Sequence, residues 1–404
     1  MTHDEPTRYV HLGADLHAEP SATSPLAPPI FQSTVYRYDE TAQIDAMHAG
    51  AADGYIYARY GLPNSRALEQ ALAALEGAQA GLATSSATSG ILATLLALTT
   101  GGDRLVVGHN TYGGTRGLLD AELSRFGLET TYVDVGDLNA VRAAVGAEPK
   151  PRLLWADTIS NPTLLTNDIP ALAEIAANAD LPFIVDNTFA TPLHFTPLTH
   201  GATLVIHSGT KFIGGHNDVS SGAVVGPAAL IERIRRTAIL TGAVVSPFDA
   251  WLSLRGLRTL EVRLTRSSAT ALAIAEALEG APGVVRVHYP GLASDPRHGV
   301  AARMLKQGYG SLVSVDFGTE ALARAVVDNM KLVQIAETLG GLMTTAVIPS
   351  VNYYRHLDAE GLARIGVSPG LVRFSIGIES ADDLIADLRG ASACATGSSA
   401  GNEA

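Results

Sequence analysis

The first chemically informative residue is a lysine that follows a predicted buried strand. Residues 203–207 are mostly apolar or β-branched, and they lead directly into Ser208, Gly209, Thr210 and Lys211. Only four of the 28 basic residues are lysines. A lysine at the carboxyl end of a buried strand loses its proton more easily and can form a Schiff base with a carbonyl group. The segment alone leaves a solvated surface lysine open as the alternative.

A carboxylate ends the preceding predicted strand. Residues 182–186 form an apolar run that closes on Asp186, 25 residues before Lys211. Ligands of open α/β sheets bind at the carboxyl ends of the strands. An aspartate beside a Schiff-base lysine suits pyridoxal phosphate (PLP), because it keeps the pyridine nitrogen protonated and the ring able to accept electrons. Without Lys211, a capping role for Asp186 would be the better interpretation.

Small polar residues form a candidate phosphate site. Ser86, Ala87 and Thr88 open a largely buried predicted helix. A helix N-terminus presents free amides and a positive dipole end to an anion. The hydroxyls of Ser208 and Thr210 would add two donors. Helix capping uses the same residue types, so this signal depends on the lysine and the aspartate.

Two further side chains suit an amino-acid substrate and its cofactor. Tyr112 follows a short predicted strand and precedes two glycines, so its ring could stack on a cofactor. Arg373 alternates with apolar residues over 371–378. A guanidinium group can bind a substrate carboxylate in bidentate fashion. A simple turn and a solvated strand face are the open alternatives for these segments.

The elements that must position these residues alternate along the chain. Short apolar or β-branched runs are followed by helical patterns from about residue 63. This alternation predicts an α/β fold with a mainly parallel sheet and helices on both faces. The predicted strands are 105–107, 131–135, 153–156, 183–186, 203–207 and 223–225, and the predicted helices are 116–126, 137–145, 169–179 and 228–238.

Four regions are predicted. Residues 1–54 are interrupted by prolines and form an N-terminal arm of the kind that lies on a partner subunit. Residues 55–250 form the large, PLP-binding domain. Residues 251–390 combine period-2 segments with helices and form a smaller α+β C-terminal domain. Residues 391–404 are rich in Ala, Gly and Ser and form a disordered tail.

Composition argues against several classes of protein. The 404 residues carry a net charge of −12 with no basic block, so nucleic-acid binding is not expected. The longest apolar run is too short to cross a bilayer, and the first residues lack the layout of a secretory signal. Cys394 is the single cysteine, and no HExxH or CxxC motif occurs, so no metal site is expected. We therefore expect a cytoplasmic protein that binds neither membranes nor nucleic acid.

Longer motifs connect these residues to a known family. They are Tyr55-Ile-Tyr57-Ala-Arg59-Tyr60, Tyr112-Gly-Gly-Thr115, Ser160-Asn161-Pro-Thr163, Val185-Asp186-Asn-Thr-Phe-Ala-Thr-Pro192, His207-Ser-Gly-Thr-Lys211-Phe-Ile-Gly-Gly-His216 and Leu371-Val-Arg373. Over about residues 10–390 the chain resembles the Cys/Met-metabolism PLP enzymes. That family includes cystathionine γ-lyase, cystathionine γ-synthase, methionine γ-lyase and O-acetylhomoserine sulfhydrylase. The resemblance implies the aspartate-aminotransferase-like fold of PLP enzymes (fold type I).

The resemblance also implies a role for each matched residue. Lys211 would hold PLP covalently and move protons, and Tyr112 would stack on the ring and assist the leaving group. Arg373 would bind the substrate carboxylate, with Thr344 and Tyr57 also at the substrate. The implied cofactor-binding residues are Tyr57, Arg59, Ser86, Ala87, Thr88, Tyr112, Asn161, Asp186, Ser208, Thr210 and Lys211.

The same resemblance implies an oligomer. Tyr57 and Arg59 would reach the cofactor phosphate of a neighbouring subunit. The expected assembly is a homotetramer, built as a dimer of dimers with shared active sites.

Two departures from the family pattern bear on the substrate. Gly114 stands where methionine γ-lyases typically carry a reactive cysteine, which argues against that activity. Met343 stands where cystathionine-processing members typically carry a carboxylate. The loss of that charge favours a γ-substituent that is smaller or less polar than the cysteinyl group.

The sequence therefore predicts PLP-dependent γ-elimination or γ-replacement on a γ-substituted L-amino acid, in one form a specialised biosynthetic γ-lyase with a non-cystathionine substrate. A cystathionine γ-synthase, a cystathionine γ-lyase or an O-acetylhomoserine sulfhydrylase of sulfur amino-acid metabolism stays open. So does β-elimination or transamination on the same scaffold. A non-catalytic PLP-binding protein is the alternative of another class.

Overall fold

A seven-stranded sheet forms the centre of the larger part of the molecule. The computed structural model describes residues 5–13 and 25–397. The strand order is β1-β7-β6-β5-β4-β2-β3. Its strands are β1 (Ala80–Thr84), β2 (Arg104–Gly108), β3 (Glu129–Val133), β4 (Leu153–Asp157), β5 (Phe183–Asp186), β6 (Leu204–Ser208) and β7 (Gly222–Gly226). Strand β7 pairs antiparallel with β1 and β6, and all other pairs are parallel.

Helices surround this sheet. In chain order they are α1 (Glu5–Val10), α2 (Thr41–His48), α3 (Pro63–Glu76), α4 (Ala87–Leu98), α5 (Gly113–Gly117), α6 (Leu138–Gly146), α7 (Ile169–Asn178), α8 (Thr191–His194), α9 (Ala228–Thr241), α10 (Pro247–Leu257), α11 (Leu260–Leu278), α12 (His298–Met304), α13 (Glu320–Asn329), α14 (Pro349–Asn352), α15 (Ala359–Arg364) and α16 (Ala381–Thr396). Among the described residues, no helix is long and apolar enough to cross a membrane.

The strands of the large sheet are covered on both faces. Strands β2, β4 and β7 are buried at every residue, which is typical of strands that lie between two layers of helices. One face packs mainly against α3, α7 and α10, and the other packs against α4 and α9. The parallel strands β4 and β5 end on the paired residues Asp157 and Asp186, and β6 extends two residues beyond Ile206, the partner of Asp186, to Ser208. The sheet thus brings polar side chains together along one edge.

A second, five-stranded sheet forms the C-terminal part. Its strands are β8 (Arg286–His288), β9 (Leu312–Asp316), β10 (Gln334–Ile335), β11 (Thr345–Val347) and β12 (Leu371–Ser375), in the order β10-β11-β12-β9-β8. Helices α13 and α16 pack together against this sheet. The fold class is as predicted: a mainly parallel α/β sheet with a smaller α+β part.

Helix α11 belongs to both parts. Leu260 and Leu264 lie in the core of the large sheet, whereas Ala271, Ile274 and Leu278 lie in the core of the small sheet. The division at residue 250 stays a prediction, and in the structure one continuous helix serves the two cores.

The described residues near both chain ends contain more helix than the composition predicts. In the predicted arm, α1 buries Tyr9 in the large core and α2 forms a second helix. Helix α16 continues to Thr396, beyond the predicted start of the tail at Ala391. The reason is packing, because Ala391 is buried and the Ser392 hydroxyl donates to Pro282 O at 3.1 Å. The rest of the predicted tail, 398–404, lies outside the described residues.

Candidate active site

The carboxyl edge of the large sheet opens into a cavity of about 1060 Å³. Loops after β2, β4, β5 and β6 line it, together with the first turn of α4 and the C-terminal part. The cavity brings together most of the predicted site residues, namely Ser86, Ala87, Thr88, Tyr112, Asn161, Asp186, Ser208, Thr210, Lys211 and Arg373.

Lys211 lies in a tight turn that follows β6. The turn is closed by Gly214 N donating to Gly209 O and by Gly215 N donating to Lys211 O, each at 2.8 Å. The buried Arg263 donates to Phe212 O at 2.9 Å and so holds the main chain next to the lysine. Burial, with a smaller contribution from the positive charge of Arg373, lowers the pKa of Lys211. The amine is therefore more easily neutral than that of a solvated lysine.

A glycine of the C-terminal part, Gly340, packs against the turn that carries Lys211. Gly340 has φ +81°, and a Cβ atom there would lie 2.7 Å from Phe212 N. Only glycine fits this conformation and this approach.

Asp186 and Asp157 lie at the ends of paired strands. Asp186 accepts a hydrogen bond from Thr188 N at 3.0 Å, and desolvation raises its pKa. Asp157 accepts from the Thr111 hydroxyl at 2.6 Å. Burial, and then the negative charge of Asp186, raise the pKa of Asp157 to about 8. Two neighbouring carboxyls at this edge cannot both ionise without a positive partner.

Asp157 is a site residue that the sequence reasoning missed. Its Oδ2 accepts from Tyr112 N at 2.9 Å, so it fixes the main chain of the residue predicted to stack on the cofactor. The signal was present, because the β4 run also ends on an aspartate, as the β5 run does at Asp186.

Tyr112 extends into the cavity as a half-exposed ring. Burial is the largest cause that raises the pKa of Tyr112, followed by Tyr353 and Asp186, whereas Arg373 opposes the shift. A Cβ atom at Gly114 would overlap the Tyr112 ring. Glycine at 114 therefore allows the ring to occupy its position.

The first turn of α4 forms a polar end of the cavity. Ser86 caps this helix, accepting from Ser89 N at 3.1 Å. Ala87 and Thr88 stand in the first turn, where backbone N–H groups have no acceptor within the helix. Ser208 and Thr210 line the same cavity. The Thr210 hydroxyl also lies 3.2 Å from Ser221 O, to which it donates.

Arg373 is buried, so its strand face is not solvated. The side chain is 2 % exposed. Its Nη1 donates to Asn161 Oδ1 at 2.7 Å, and its Nη2 donates to Tyr353 Oη at 3.1 Å and to Thr338 O at 3.3 Å. Its Nε has no hydrogen-bond partner among the described residues. The guanidinium group thus faces the cavity with unused donors.

Three predicted residues do not line the cavity of the single chain. Tyr57 and Arg59 lie on an exposed turn, where the Arg59 guanidinium lies 5.9 Å from the Tyr57 ring centroid. Thr344 is fully buried, and its hydroxyl donates to Glu379 Oε2 at 2.8 Å. An internal carboxylate thus binds the Thr344 hydroxyl in the single chain, and the contact of Thr344 with substrate stays a prediction.

The wall of the cavity that the C-terminal part forms contains the carboxylate of Glu337. Met343 is 59 % exposed and does not line the cavity. Glu337 does line it, and its Oε1 accepts from Asn352 Nδ2 at 2.8 Å. The prediction that Met343 replaces a carboxylate near the distal end of the substrate stays a prediction, and Glu337 is a carboxylate in the cavity that the sequence reasoning did not include.

A buried polar network lies behind Asp186. His207 Nε2 lies 2.8 Å from Glu76 Oε1, and Asn187 Nδ2 donates to the same oxygen at 3.0 Å. Glu76 could not be predicted from the sequence, because no local sequence pattern indicates a contact between a residue of α3 and a residue 131 positions later.

The site fits PLP. The carboxyl of Asp186 needs a positive partner, the α4 terminus and two hydroxyls suit a phosphate, and Lys211 supplies a readily neutral amine. Among the described residues, no group of three or more His, Cys, Asp or Glu side chains could hold a metal ion. The geometry thus defines a site for a phosphate-bearing aromatic aldehyde.

Comparison with known proteins agrees with this chemistry. Residues 6–393 match the family model described as Cys/Met metabolism PLP-dependent enzyme. The chain is 37% identical to L-methionine gamma-lyase of Pseudomonas putida over 95% of this chain and 96% of that protein. It is 39% identical to O-succinylhomoserine sulfhydrylase of Pseudomonas aeruginosa over 89% of each chain.

A solved structure shows the same fold. Cystathionine gamma synthase from Xanthomonas oryzae pv. oryzae, in complex with aminoacrylate and cysteine, superimposes with a TM-score of 0.91 at 38% identity. The match covers 98% of this chain and 100% of that chain.

The chain belongs to the Cys/Met metabolism PLP-dependent enzyme family. It is a PLP-dependent enzyme that catalyses γ-elimination or γ-replacement on γ-substituted amino acids. The prediction of the family, the fold class, the cofactor and the reaction class is confirmed.

Proposed function

We propose that Lys211 holds PLP covalently and acts as the base and acid of the reaction. The observation that carries this proposal is the convergence of Lys211, Asp186, Arg373 and the first turn of α4 in one cavity. When bound, PLP supplies an aldehyde that condenses with amines and a ring that accepts electrons from a carbanion. Because burial lowers its pKa, the Lys211 amine can take the Cα proton of the substrate.

Asp186 and the phosphate site would hold the cofactor. The Asp186 carboxylate would pair with the protonated pyridine nitrogen, which would offset the desolvation that raises the pKa of Asp186. The amides of Ala87 and Thr88, with the hydroxyls of Ser86, Ser208 and Thr210, would bind the phosphate.

Tyr112 would stack on the cofactor ring and donate a proton to the leaving group. Burial raises the pKa of Tyr112, so its hydroxyl stays protonated at neutral pH and is a donor. Asp157 holds the main chain of Tyr112 and would thereby set the position of the ring.

Arg373 and Asn161 would orient the substrate. Arg373 would bind the α-carboxylate, and Asn161, which accepts from Arg373 Nη1, would keep the guanidinium group in place beside the ring hydroxyl of the cofactor. With the α-carboxylate bound to Arg373, the γ-substituent would contact the remaining walls of the cavity.

The γ-substituent would lie between two walls. One wall contains Arg116, whose guanidinium lies 4.1 Å from the Tyr132 ring centroid. The other contains Glu337, Tyr353 and Tyr354. A specialised γ-lyase with a non-cystathionine substrate is our first candidate. A cystathionine-type substrate is the second, because Glu337 offers a carboxylate to an amino group on the substituent.

We further propose that the enzyme is a cytoplasmic homotetramer with active sites shared between subunits. The exposed turn that carries Tyr57 and Arg59 supports the shared sites, because both side chains are exposed. Within the single chain, Arg59 Nη1 donates to Ile239 O at 3.1 Å, and this bond would be exchanged for the phosphate.

Borohydride reduction followed by peptide mapping tests the role of Lys211. We expect the pyridoxyl adduct on the peptide that contains Lys211, and no adduct in Lys211→Ala. Lys150→Ala is the matched control, because Lys150 is an exposed lysine far from the cavity. An adduct on another peptide, or none in the holoenzyme, would overturn the proposal.

Mass spectrometry of products from a panel of γ-substituted amino acids tests the substrate. The panel contains cystathionine, acyl esters of homoserine, and amino acids with small apolar γ-substituents. Lys211→Ala serves as the blank. Preference for cystathionine would reject our first candidate and select the second.

Mixing two inactive variants tests the shared site. If Arg59 of one subunit completes the site around Lys211 of another, a mixture of Arg59→Ala and Lys211→Ala, dissociated and reassembled, regains activity. Mixed dimers then hold one site with both native residues. No recovery in verified mixed oligomers would contradict shared sites.

A further inference from the structure

The Tyr353 hydroxyl accepts a hydrogen bond from the Arg373 guanidinium group, which a substrate carboxylate would also need as a donor. The hydroxyl lies 3.1 Å from Arg373 Nη2, and the Tyr353 ring centroid lies 5.5 Å from Arg373 Cζ. The second acceptor on Nη2 is Thr338 O at 3.3 Å. With two acceptors on one NH₂ group, both hydrogens of Nη2 are engaged.

Every bidentate contact between arginine and a carboxylate uses Nη2. The end-on contact pairs Nη1 with Nη2, and the side-on contact pairs Nε with Nη2. In Arg373, Nε has no partner among the described residues, while Nη1 donates to Asn161. A carboxylate that binds in either mode must therefore displace an acceptor from Nη2.

Tyr353 is the acceptor that can leave. Thr338 contributes a main-chain carbonyl, held where the chain leads into Gly340, whose amide donates to Ser375 Oγ at 2.9 Å. Tyr353 contributes the end of a half-buried side chain that lines the cavity just after the short helix α14. A rotation of this side chain frees Nη2 and keeps the phenol in contact with water.

We propose that the Tyr353 hydroxyl exchanges with the α-carboxylate of the substrate on Arg373 Nη2. The inference rests on the proposed role of Arg373 and extends it. In the free enzyme Tyr353 holds the guanidinium group in position. When substrate binds, the carboxylate replaces the neutral phenol with a charge-assisted contact. A ligand without a carboxylate gains too little from Arg373 to displace the phenol, so the exchange makes Tyr353 a specificity-determining residue.

Calorimetric binding to the holoenzyme tests the exchange. The probes are a γ-substituted butanoate, which has the carboxylate but no α-amino group and cannot react, and its primary amide. In Tyr353→Phe the competing acceptor is absent, so the Kd of the butanoate should fall by about 3- to 10-fold, the size of one neutral hydrogen bond. The Kd of the amide should not change.

Tyr309→Phe is the matched control. It removes a half-buried phenol that does not line the cavity and that makes no hydrogen bond to Arg373 in the described structure. Both Kd values should stay at their wild-type levels in this variant. An equal change for the butanoate in Tyr309→Phe and Tyr353→Phe would reject a specific exchange at Tyr353.

Arg373→Leu separates failure of the inference from failure of the proposed function. If Arg373→Leu leaves the Kd of the butanoate unchanged, Arg373 does not bind the carboxylate and the proposed role is wrong. If Arg373→Leu weakens binding but Tyr353→Phe leaves the Kd unchanged or raises it, Arg373 keeps its role and the exchange is refuted.

Discussion

At the residue scale, Gly114 is important because the Tyr112 ring lies beside it. The Tyr112 ring occupies space that any Cβ at position 114 would enter. The cysteine typical of methionine γ-lyases at this position therefore requires a different Tyr112 position. The residue at position 114 thus limits where the Tyr112 ring can lie.

Gly114→Cys should slow the reaction without removing the cofactor. The displaced Tyr112 ring would no longer reach the leaving group, so we expect kcat to fall on the order of 10-fold or more, since small misplacements of catalytic groups are costly. Steady-state kinetics and the cofactor absorbance measure the two effects. Gly113→Ala is the matched control, because no atom lies within 4 Å of a Cβ placed there. Unchanged kcat in Gly114→Cys would show that the ring position is unimportant.

Asp157 should make stability depend on pH in the PLP-free protein. Its pKa is about 8 when folded and near 3.8 in the unfolded chain. The folded state therefore holds a proton that the unfolded state has lost, and stability falls as pH rises from about 4 to 8. In Asp157→Asn this loss is absent. The melting temperature of the wild type minus that of the variant should therefore decrease as pH rises over this interval, through zero if the two start equal, and a difference that increases would contradict the assignment.

At the element scale, the turn after β6 depends on Arg263. Its guanidinium donates to Phe212 O at 2.9 Å and to Gly256 O at 2.7 Å, and so joins α10 and α11 to the chain that carries Lys211. Arg263 touches neither the cavity nor the proposed substrate. It is a positioning residue.

Arg263→Lys should lower kcat more than it changes KM. Lysine keeps the charge but loses the forked geometry that binds two carbonyls. Lys211 would then be less well placed for proton transfer, and kcat should fall on the order of 10-fold. Arg258→Lys is the control, because Arg258 also donates to a carbonyl, Leu12 O at 2.9 Å, away from the lysine turn. Equal losses of kcat in both variants would indicate general destabilisation instead.

The elements that the sequence predicts are those with strong periodicity. The six predicted strands of the large sheet and the helices over 137–145, 169–179 and 228–238 are present within a few residues. Residues 116–126 form a helix only in pieces, α5 followed by a π-type turn and a 3₁₀ turn. Strand β1 was missed, because Ala80-Gly-Leu-Ala-Thr has weak β propensity and is fixed by pairing with β7.

The site residues could be predicted where a sequence motif lies at the end of a predicted strand, and less well elsewhere. Lys211 and Asp186 follow from the β6 and β5 patterns, and Asp157 could have followed from β4. The hydrogen bond from the Thr344 hydroxyl to Glu379 could not be predicted, because Glu379 lies 35 residues away. Contacts at such separations depend on tertiary packing, which local patterns do not contain.

For the whole molecule, cofactor binding should add to stability. At the proposed site, PLP would contact loops of the large sheet and residues of the C-terminal part. Removing it should lower the melting temperature, and returning it at about 100 times its Kd should restore about 2.7 kcal/mol. Differential scanning fluorimetry of the holo and PLP-free forms measures the shift. Identical melting temperatures would contradict the proposed cofactor contacts.

Helix α11 limits how this molecule can be divided or recombined. Its first half completes one hydrophobic interior and its second half completes the other. If either portion were expressed without the helix, its hydrophobic interior would be left partly uncovered. If the C-terminal portion were exchanged between relatives, each half of the helix would have to fit the interior that it completes. A chimera joined in the loop that follows this helix should therefore lose solubility, because the second half of the helix and the interior it completes come from different parents. One joined in the middle of the helix, between Leu264 and Ala271, should keep each half with its own interior.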